Sequence, residues 1–249
     1  MINQFYITGD CHGDFSRFYK LHNCIPEGET WGVVILGDAG INYWLSKRDE
    51  KIKCNLHYKY PNLRFYLVRG NHEERPEKIK NMEQTFDMDL GNYVYYEAKF
   101  PNIKYLMDGE FYNFKQYKAL ILGGAYSIDK EYRLARQASG GYGGWFAEEQ
   151  LTDVEKQKIA ICIKGAHCDF VLSHTCPFSW EPRDLFLSFI DQAQVDKSTE
   201  LWLDDIKDTF NWKKWLCGHF HDDRELASNA YMLYTSIRNI KDFMEQSNE

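Results

Sequence analysis

The first part of the chain alternates short apolar runs with longer mixed segments. Residues 5–7, 31–36 and 63–68 are continuous apolar runs, which are typical of strands buried on both faces. Between the second and third runs, residues 43–60 mix charged and apolar side chains and predict a helix. This order of strand and helix indicates an α/β fold.

The middle of the chain has a different pattern. Segments 93–100, 103–114 and 118–124 are short, aromatic and alternating, which predicts antiparallel strands. Asp108-Gly109 lies inside the second segment and predicts a hairpin turn there.

Helical patterns return in the second half, at about 128–138, 152–164 and 198–210. Thr152 and Glu155 have the spacing of a capping box. Residues 170–174 and 214–219 predict buried strands, and residues 228–230 predict a closing hairpin. Because no repeat or linker interrupts the pattern, we expect residues 1–249 to form one α/β domain with two sheets.

Composition narrows the class of protein. The net charge of −7 argues against binding of long nucleic acids through a basic face. No apolar run approaches the ~20 residues that span a bilayer, so no membrane partner is expected. The seven cysteines are scattered without a C-x-x-C motif, and the N-terminus does not resemble a signal peptide. These features predict a reducing, cytoplasmic compartment.

Five of the predicted strands are each followed by residues that can bind a metal or move a proton. In open α/β sheets the carboxyl ends of strands form the ligand crevice, so these residues should converge. The candidate ligands are Asp10, His12, Asp38, Asn71, His174, His219 and His221.

Seven such groups suit two divalent cations that share one carboxylate. Mixed oxygen and imidazole ligands favour Mn, Fe, Zn or Ni over Ca or Mg, and we expect Mn. Asp-x-His and His-x-His each place two side chains on one side of an extended segment. A net positive metal pair would attract a phosphate ester.

The motifs "GDCHGD", "GDAG", "GNHE", "SH" and "GHFH" in this order resemble the calcineurin-like metallophosphoesterase superfamily, from Gly9 to His221. The resemblance implies a four-layer αββα sandwich, in which two sheets are flanked by helices. It also implies that Asp10, His12, Asp38 and His221 hold one metal. Asp38, Asn71, His174 and His219 would hold the other, with Asp38 as the bridge.

The resemblance further implies that His72 lies beside the metals without binding them and faces the substrate. We expect His72 to protonate the departing oxygen. Protein serine/threonine phosphatases of this superfamily carry an Asp-Arg pair shortly after the second motif. The Asp of that pair orients the matching histidine. Ile41 and Asn42 stand at those positions here, which argues against a phosphoprotein substrate and leaves the orientation of His72 unexplained.

Three further residues are candidates for substrate binding. Tyr126 and Arg133 follow an apolar run and could reach a phosphate, although the alternative is a simple strand-to-helix turn. Arg69 precedes "GNHE" and could contact a phosphate or form a structural ion pair.

The predicted activity is metal-dependent hydrolysis of a phosphate ester by water. A phosphomonoesterase or pyrophosphohydrolase would act on a small molecule, a nucleotide or a phosphoprotein. The alternatives are a phosphodiesterase or nuclease of the same superfamily and a non-catalytic binding module on this fold.

Overall fold

The computed structural model describes residues 1–141 and 143–245. Its strands are β1 (Gln4–Thr8), β2 (Trp31–Leu36), β3 (Leu63–Val68), β4 (Met82–Asp87), β5 (Asn92–Glu97), β6 (Ile103–Tyr105), β7 (Phe111–Phe114), β8 (Tyr117–Leu122), β9 (Phe170–Ser173), β10 (Lys214–Cys217), β11 (Arg224–Ala227), β12 (Ala230–Met232) and β13 (Arg238–Asn239). Its α-helices are α1 (Phe18–Asn23), α2 (Lys47–Lys59), α3 (Lys130–Ala138), α4 (Asp153–Ile163), α5 (Ser198–Ile206) and α6 (Asp242–Glu245).

The strands form two mixed sheets. The first has the order β13-β1-β2-β3-β6-β5-β4, and the second has the order β11-β12-β10-β9-β8-β7. Strands β1, β2, β3 and β6 are parallel neighbours in the first sheet, as are β12, β10, β9 and β8 in the second. The outer pairings of both sheets are antiparallel.

The two sheets pack face to face over a shared core. Val34 of β2 and Tyr66 of β3 lie in the same buried cluster as Ile121 of β8 and Leu172 of β9. Their sequence neighbours point the opposite way, because successive side chains of a strand alternate between its faces. Continuous apolar runs are therefore needed on these strands, since both faces are covered.

Helices cover the outer face of each sheet. Phe18 of α1 and Leu56 of α2 pack with Val33 and Phe65 on the outside of the first sheet. On the second sheet, α4 and α5 pack over alternate residues of β8 and β9, with Ile159, Leu203, Leu120 and Val171 in one cluster. The predicted four-layer sandwich of two sheets flanked by helices is confirmed.

The predicted hairpin at Asp108-Gly109 is wrong. A turn does occur there, with Gly109 at a φ of +81°. However, β6 before the turn pairs with β3 and β5, whereas β7 after it pairs with β8 in the other sheet. The turn therefore carries the chain between sheets, and local turn chemistry does not specify the partner of the next strand.

Helix boundaries also differ from the predictions. Helix α2 starts at Lys47 because Ser46 caps it and Asp49 completes a capping box. The predicted capping box of Thr152 and Glu155 starts α4 as expected. Strands β4 and β13 and the short helices α1 and α6 were not predicted, because each is short or partly exposed.

Candidate metal centre

Both sheets deliver ligand-type residues to one place. Asp10 and His12 follow β1, Asp38 follows β2, and Asn71 follows β3, all in the first sheet. From the second sheet, the loops after β9 and β10 contribute His174, His219 and His221. The structure brings all seven predicted ligands together, as the contacts between their side chains show.

Asp10, His12 and His221 form one side of the centre. Oδ2 of Asp10 lies 3.2 Å from Nε2 of His221 and 3.7 Å from Nε2 of His12. The two histidine Nε2 atoms are 2.9 Å apart. Oδ1 of Asp10 accepts a hydrogen bond from the backbone N–H of His219 at 2.9 Å, which leaves Oδ2 facing the histidines.

The carboxylate of Asp38 lies between two groups of histidines. Its Oδ1 is 3.6 Å from Nε2 of His174. Its Oδ2 is 4.0 Å from Nε2 of His12 and 3.8 Å from Nε2 of His72. The two oxygens of one buried carboxylate therefore face different sets of potential ligands.

The other side of the centre is built around His174. The Nδ1–H of His174 donates to the carbonyl of Leu36 at 2.8 Å, so its Nε2 is the atom left for the site. That Nε2 lies 2.7 Å from Oδ1 of Asn71, whose amide group donates to Ser127 Oγ at 2.8 Å. The ring of His219 is 5.0 Å from that of His174.

Backbone strain accompanies these positions. His12, Asp38, His219 and His221 all have positive φ angles, between 46° and 72°, although none is glycine. Such left-handed conformations cost free energy and cluster at functional sites. A further constraint comes from Gly70, where a Cβ would lie 2.0 Å from Oδ1 of Asp38. The carboxylate therefore needs glycine at that position.

The pKa values of Asp38 and His219 are both shifted below their usual range. Burial raises the pKa of Asp38, but His174, His72 and His12 outweigh this effect and hold that pKa well below its usual range. Burial and the neighbouring His174 lower the pKa of His219 to about 3. An ionised carboxylate beside neutral imidazole is the protonation state that metal binding requires.

The donor atoms suit divalent cations. Among the described residues, three sets of histidine and carboxylate side chains each have ligand atoms within 4.8 Å of one another, namely Asp10/His12/His221, His12/Asp38/His72 and Asp10/Asp38/His174. Asp10 and Asp38 each belong to two groups. Mixed imidazole and carboxylate ligands suit Mn, Fe, Zn or Ni, so these residues fit the metals expected from the sequence.

His72 is held by residues that sequence reasoning did not connect with it. The guanidinium of Arg133 contacts both ring nitrogens of His72, and the Tyr43 ring stacks near it at 6.0 Å. Burial lowers the pKa of His72, and Arg133 adds to this effect against the attraction of Asp38. Arg133 is itself buried and paired with Asp129. No local signal links Arg133 to His72, because the two are far apart in the chain.

The other two candidates for substrate binding are placed differently. Tyr126 lines a cavity beside the metal centre. Arg69 is buried, and its Nε donates to Asp108 at 2.8 Å while Nη1 donates to the Glu149 carbonyl at 2.7 Å. These contacts favour the structural alternative for Arg69.

Two further residues support the loops that carry the ligand-type side chains. Arg17 donates to the backbone carbonyl of Asp10 at 2.9 Å and so fixes the first loop. Glu73 accepts a hydrogen bond from the backbone N–H of Gly70 at 2.6 Å and so fixes the third. Burial and the nearby Asp38 raise the pKa of Glu73 to about 8.

The two-sheet sandwich brings histidines, carboxylates and an amide together at its strand ends, in a set that could hold divalent cations. The family model for calcineurin-like phosphoesterases matches residues 4–223. The chain belongs to this family and is a metal-dependent phosphoric ester hydrolase.

The chain was also compared with solved structures and with curated proteins. The solved structures similar to this chain include phosphopantetheinyl hydrolase from Mycobacterium tuberculosis, at 11% sequence identity and a TM-score of 0.46. The match covers 98% of this chain and 92% of that one. A search of curated proteins found no match. Among the described residues, no helix is long and apolar enough to cross a membrane.

Proposed function

We propose that this chain is a phosphomonoesterase with a binuclear metal centre and that Mn²⁺ is its favoured metal. The observation that carries the proposal is the position of Asp38, whose Oδ1 faces His174 and whose Oδ2 faces His12. A carboxylate between two sets of ligands is the arrangement that a bridging ligand needs. Asp10, His12 and His221 would complete one metal site, and Asn71, His174 and His219 the other.

Divalent cations bound there would polarise the phosphoryl oxygens. They would also lower the pKa of water, so that hydroxide is available to attack phosphorus near neutral pH. The side chains of the chain would perform the remaining tasks. Hydrogen bonds to the His219 and His72 backbone N–H groups fix one oxygen each of Asp10 and Asp38. The Leu36 carbonyl fixes the ring of His174.

His72 is proposed as the general acid. It lines the cavity beside the metal centre, so its ring can reach an oxygen that leaves towards that cavity. Arg133 and Tyr43 would hold the ring in place, the task that the resemblance implies for an Asp in the protein serine/threonine phosphatases. Proton donation by a positioned side chain typically contributes about 10²–10⁴-fold.

The proposed substrate is a phosphorylated small molecule rather than a long nucleic acid. The net charge of −7 disfavours a polyanion. The proposed location is the cytoplasm, because all seven cysteines are free, as expected in a reducing compartment.

The test is a metal and substrate panel. Metal-free protein is reloaded separately with Mn²⁺, Fe²⁺, Zn²⁺ or Ni²⁺, and kcat/KM is measured on para-nitrophenyl phosphate and on bis(para-nitrophenyl) phosphate. We expect turnover only with metal, greatest with Mn²⁺, and faster on the monoester. Faster turnover of the diester would support the phosphodiesterase alternative. Turnover of neither substrate with any of the metals would contradict the proposed activity.

A further inference from the structure

A cavity of about 520 Å³ adjoins the metal centre. Its floor consists of side chains of the centre, including Asp38, His72 and His219. Small-molecule sites have volumes on the order of 300–1,000 Å³. A group bonded to a phosphoryl oxygen at the metals would therefore extend directly into a space of suitable size.

The walls of the cavity are mainly apolar. Part of the lining comes from the segment before α5, and another part comes from the loops after β8 and β10. The apolar lining residues are Tyr126, Ile128, Leu185, Phe186, Leu187, Ile190, Val195 and Phe220. Phe186 stacks on Phe220 with their ring centroids 6.2 Å apart, which joins the wall to the loop that carries His219.

The charged residues of the lining disfavour a second anionic group. Lys197 is the only lysine or arginine among the described lining residues, and it is paired with Glu181 at 2.9 Å. Asp129, Asp196 and Glu200 add carboxylates. A leaving group that carried another phosphate would meet acidic side chains and no unpaired cation.

One oxygen of the Glu200 carboxylate has no hydrogen-bond partner. Glu200 is only 5% exposed, and its Oε1 accepts a hydrogen bond from Thr175 Oγ1 at 2.8 Å. Its Oε2 is buried without a hydrogen bond. Glu200 lines the cavity, so a ligand that supplies a donor to its carboxylate would gain binding free energy there.

We infer that the substrate is a phosphate monoester of a small alcohol with an apolar body and one hydrogen-bond donor. The apolar body packs against Phe186 in the cavity, and the donor reaches the carboxylate of Glu200. This inference rests on the proposed function, since the metals must hold the phosphate. It goes further by assigning the alcohol and by excluding nucleoside diphosphates and polyphosphates.

A series of aryl phosphates tests this assignment. Phenyl, para-ethylphenyl, para-hydroxyethylphenyl and para-aminoethylphenyl phosphate have leaving groups of nearly equal acidity, so the chemical step is matched. On the Mn²⁺-loaded protein, we expect kcat/KM to rise about tenfold from phenyl to para-ethylphenyl, the gain from burying two more carbon atoms. The hydroxyl and ammonium members distinguish a neutral donor from a charged one.

Two pairs of variants locate the contacts. Phe186→Ala should reduce the preference for para-ethylphenyl over phenyl phosphate to about one, whereas Phe189→Ala should keep it. Phe189 belongs to the same segment but is 78% exposed and does not line the cavity.

Glu200→Gln should lower kcat/KM about tenfold on the better of the two donor-bearing substrates and leave the ethyl substrate less affected. Asp205→Asn on the exposed face of α5 is its control.

Binding separates this inference from the proposed function. The affinity of the same phosphates for the variants is measured by ligand-observed NMR. If no ester is hydrolysed but Phe186→Ala weakens binding of para-ethylphenyl phosphate, the proposed function fails and the cavity assignment stands. If phenyl phosphate is hydrolysed but all four esters react equally, or Phe186→Ala and Phe189→Ala behave alike, the cavity assignment is wrong.

Discussion

Asp38 is the residue on which the centre depends most. Its position at the candidate centre could be predicted, because a carboxylate directly after a buried parallel strand lies in the ligand crevice. Its contacts with His12, His72 and His174 could not, since they join distant parts of the chain. The contact of Arg133 with His72 could not be predicted either, since from its position in the chain Arg133 was a candidate for phosphate contact.

Substitution of His72 tests whether this residue protonates the leaving group. If it donates a proton to the leaving group, His72→Asn should slow hydrolysis of alkyl phosphates about 10²–10⁴-fold. Hydrolysis of para-nitrophenyl phosphate should slow much less, because nitrophenolate is a weak base and leaves without a proton. The measurement is kcat on both substrates, together with metal content, which should not change. Equal losses on both substrates would assign His72 to phosphate binding instead.

The loops that follow the strands show how elements set the geometry. Gly70 follows β3 and Gly218 follows β10, and each lets a carboxylate, that of Asp38 or Asp10, approach the backbone closely. The apolar runs predicted β2 and β3 with the correct ends. The pairing of β6 and β7 with different sheets was not predictable from the turn between them, because pairing depends on tertiary packing.

Gly70 tests the role of these loops. Its Cβ in Gly70→Ala would lie 2.0 Å from Oδ1 of Asp38 and 2.2 Å from the Asp38 nitrogen, so the carboxylate must move. A displacement of about 1 Å can cost 10²-fold in rate. We expect kcat to fall by at least about that factor and metal content to fall as well.

Gly28→Ala is the control for this substitution. Gly28 has a positive φ, of +82°, unlike Gly70, and a Cβ there meets nothing within 4 Å. This variant should lose about 1 kcal/mol of stability and keep its metal and activity. If Gly70→Ala were as active as Gly28→Ala, the close approach to Asp38 would not matter for function.

At the scale of the whole molecule, the candidate metal centre is formed by residues that follow strands of both sheets. Asp10, Asp38 and Asn71 come from the first sheet, and His174 and His219 come from the second. The periodicity of the sequence predicted two sheets and which residues follow their strands. The cavity could not be predicted, because its walls come from loops without a regular pattern.

Metal binding should therefore stabilise the whole fold. A ligand at about 1,000 times its dissociation constant adds about 4 kcal/mol, which corresponds to about 10 °C in Tm for a chain of this size. We expect Mn²⁺ to raise the Tm of metal-free protein by about this amount, as measured by circular dichroism. His167→Ala, which alters an exposed histidine outside the centre, should show the full shift. An unchanged Tm with and without Mn²⁺ would argue against ligands shared by both sheets.

Elemental analysis of purified Mn²⁺-loaded protein tests most directly whether Asp38 bridges two metals. We predict two metal ions per chain in the wild type and in His167→Ala. Asp38→Asn should hold fewer than one and should be inactive, because both metals lose a ligand. Two metal ions per chain in an active Asp38→Asn protein would contradict the account.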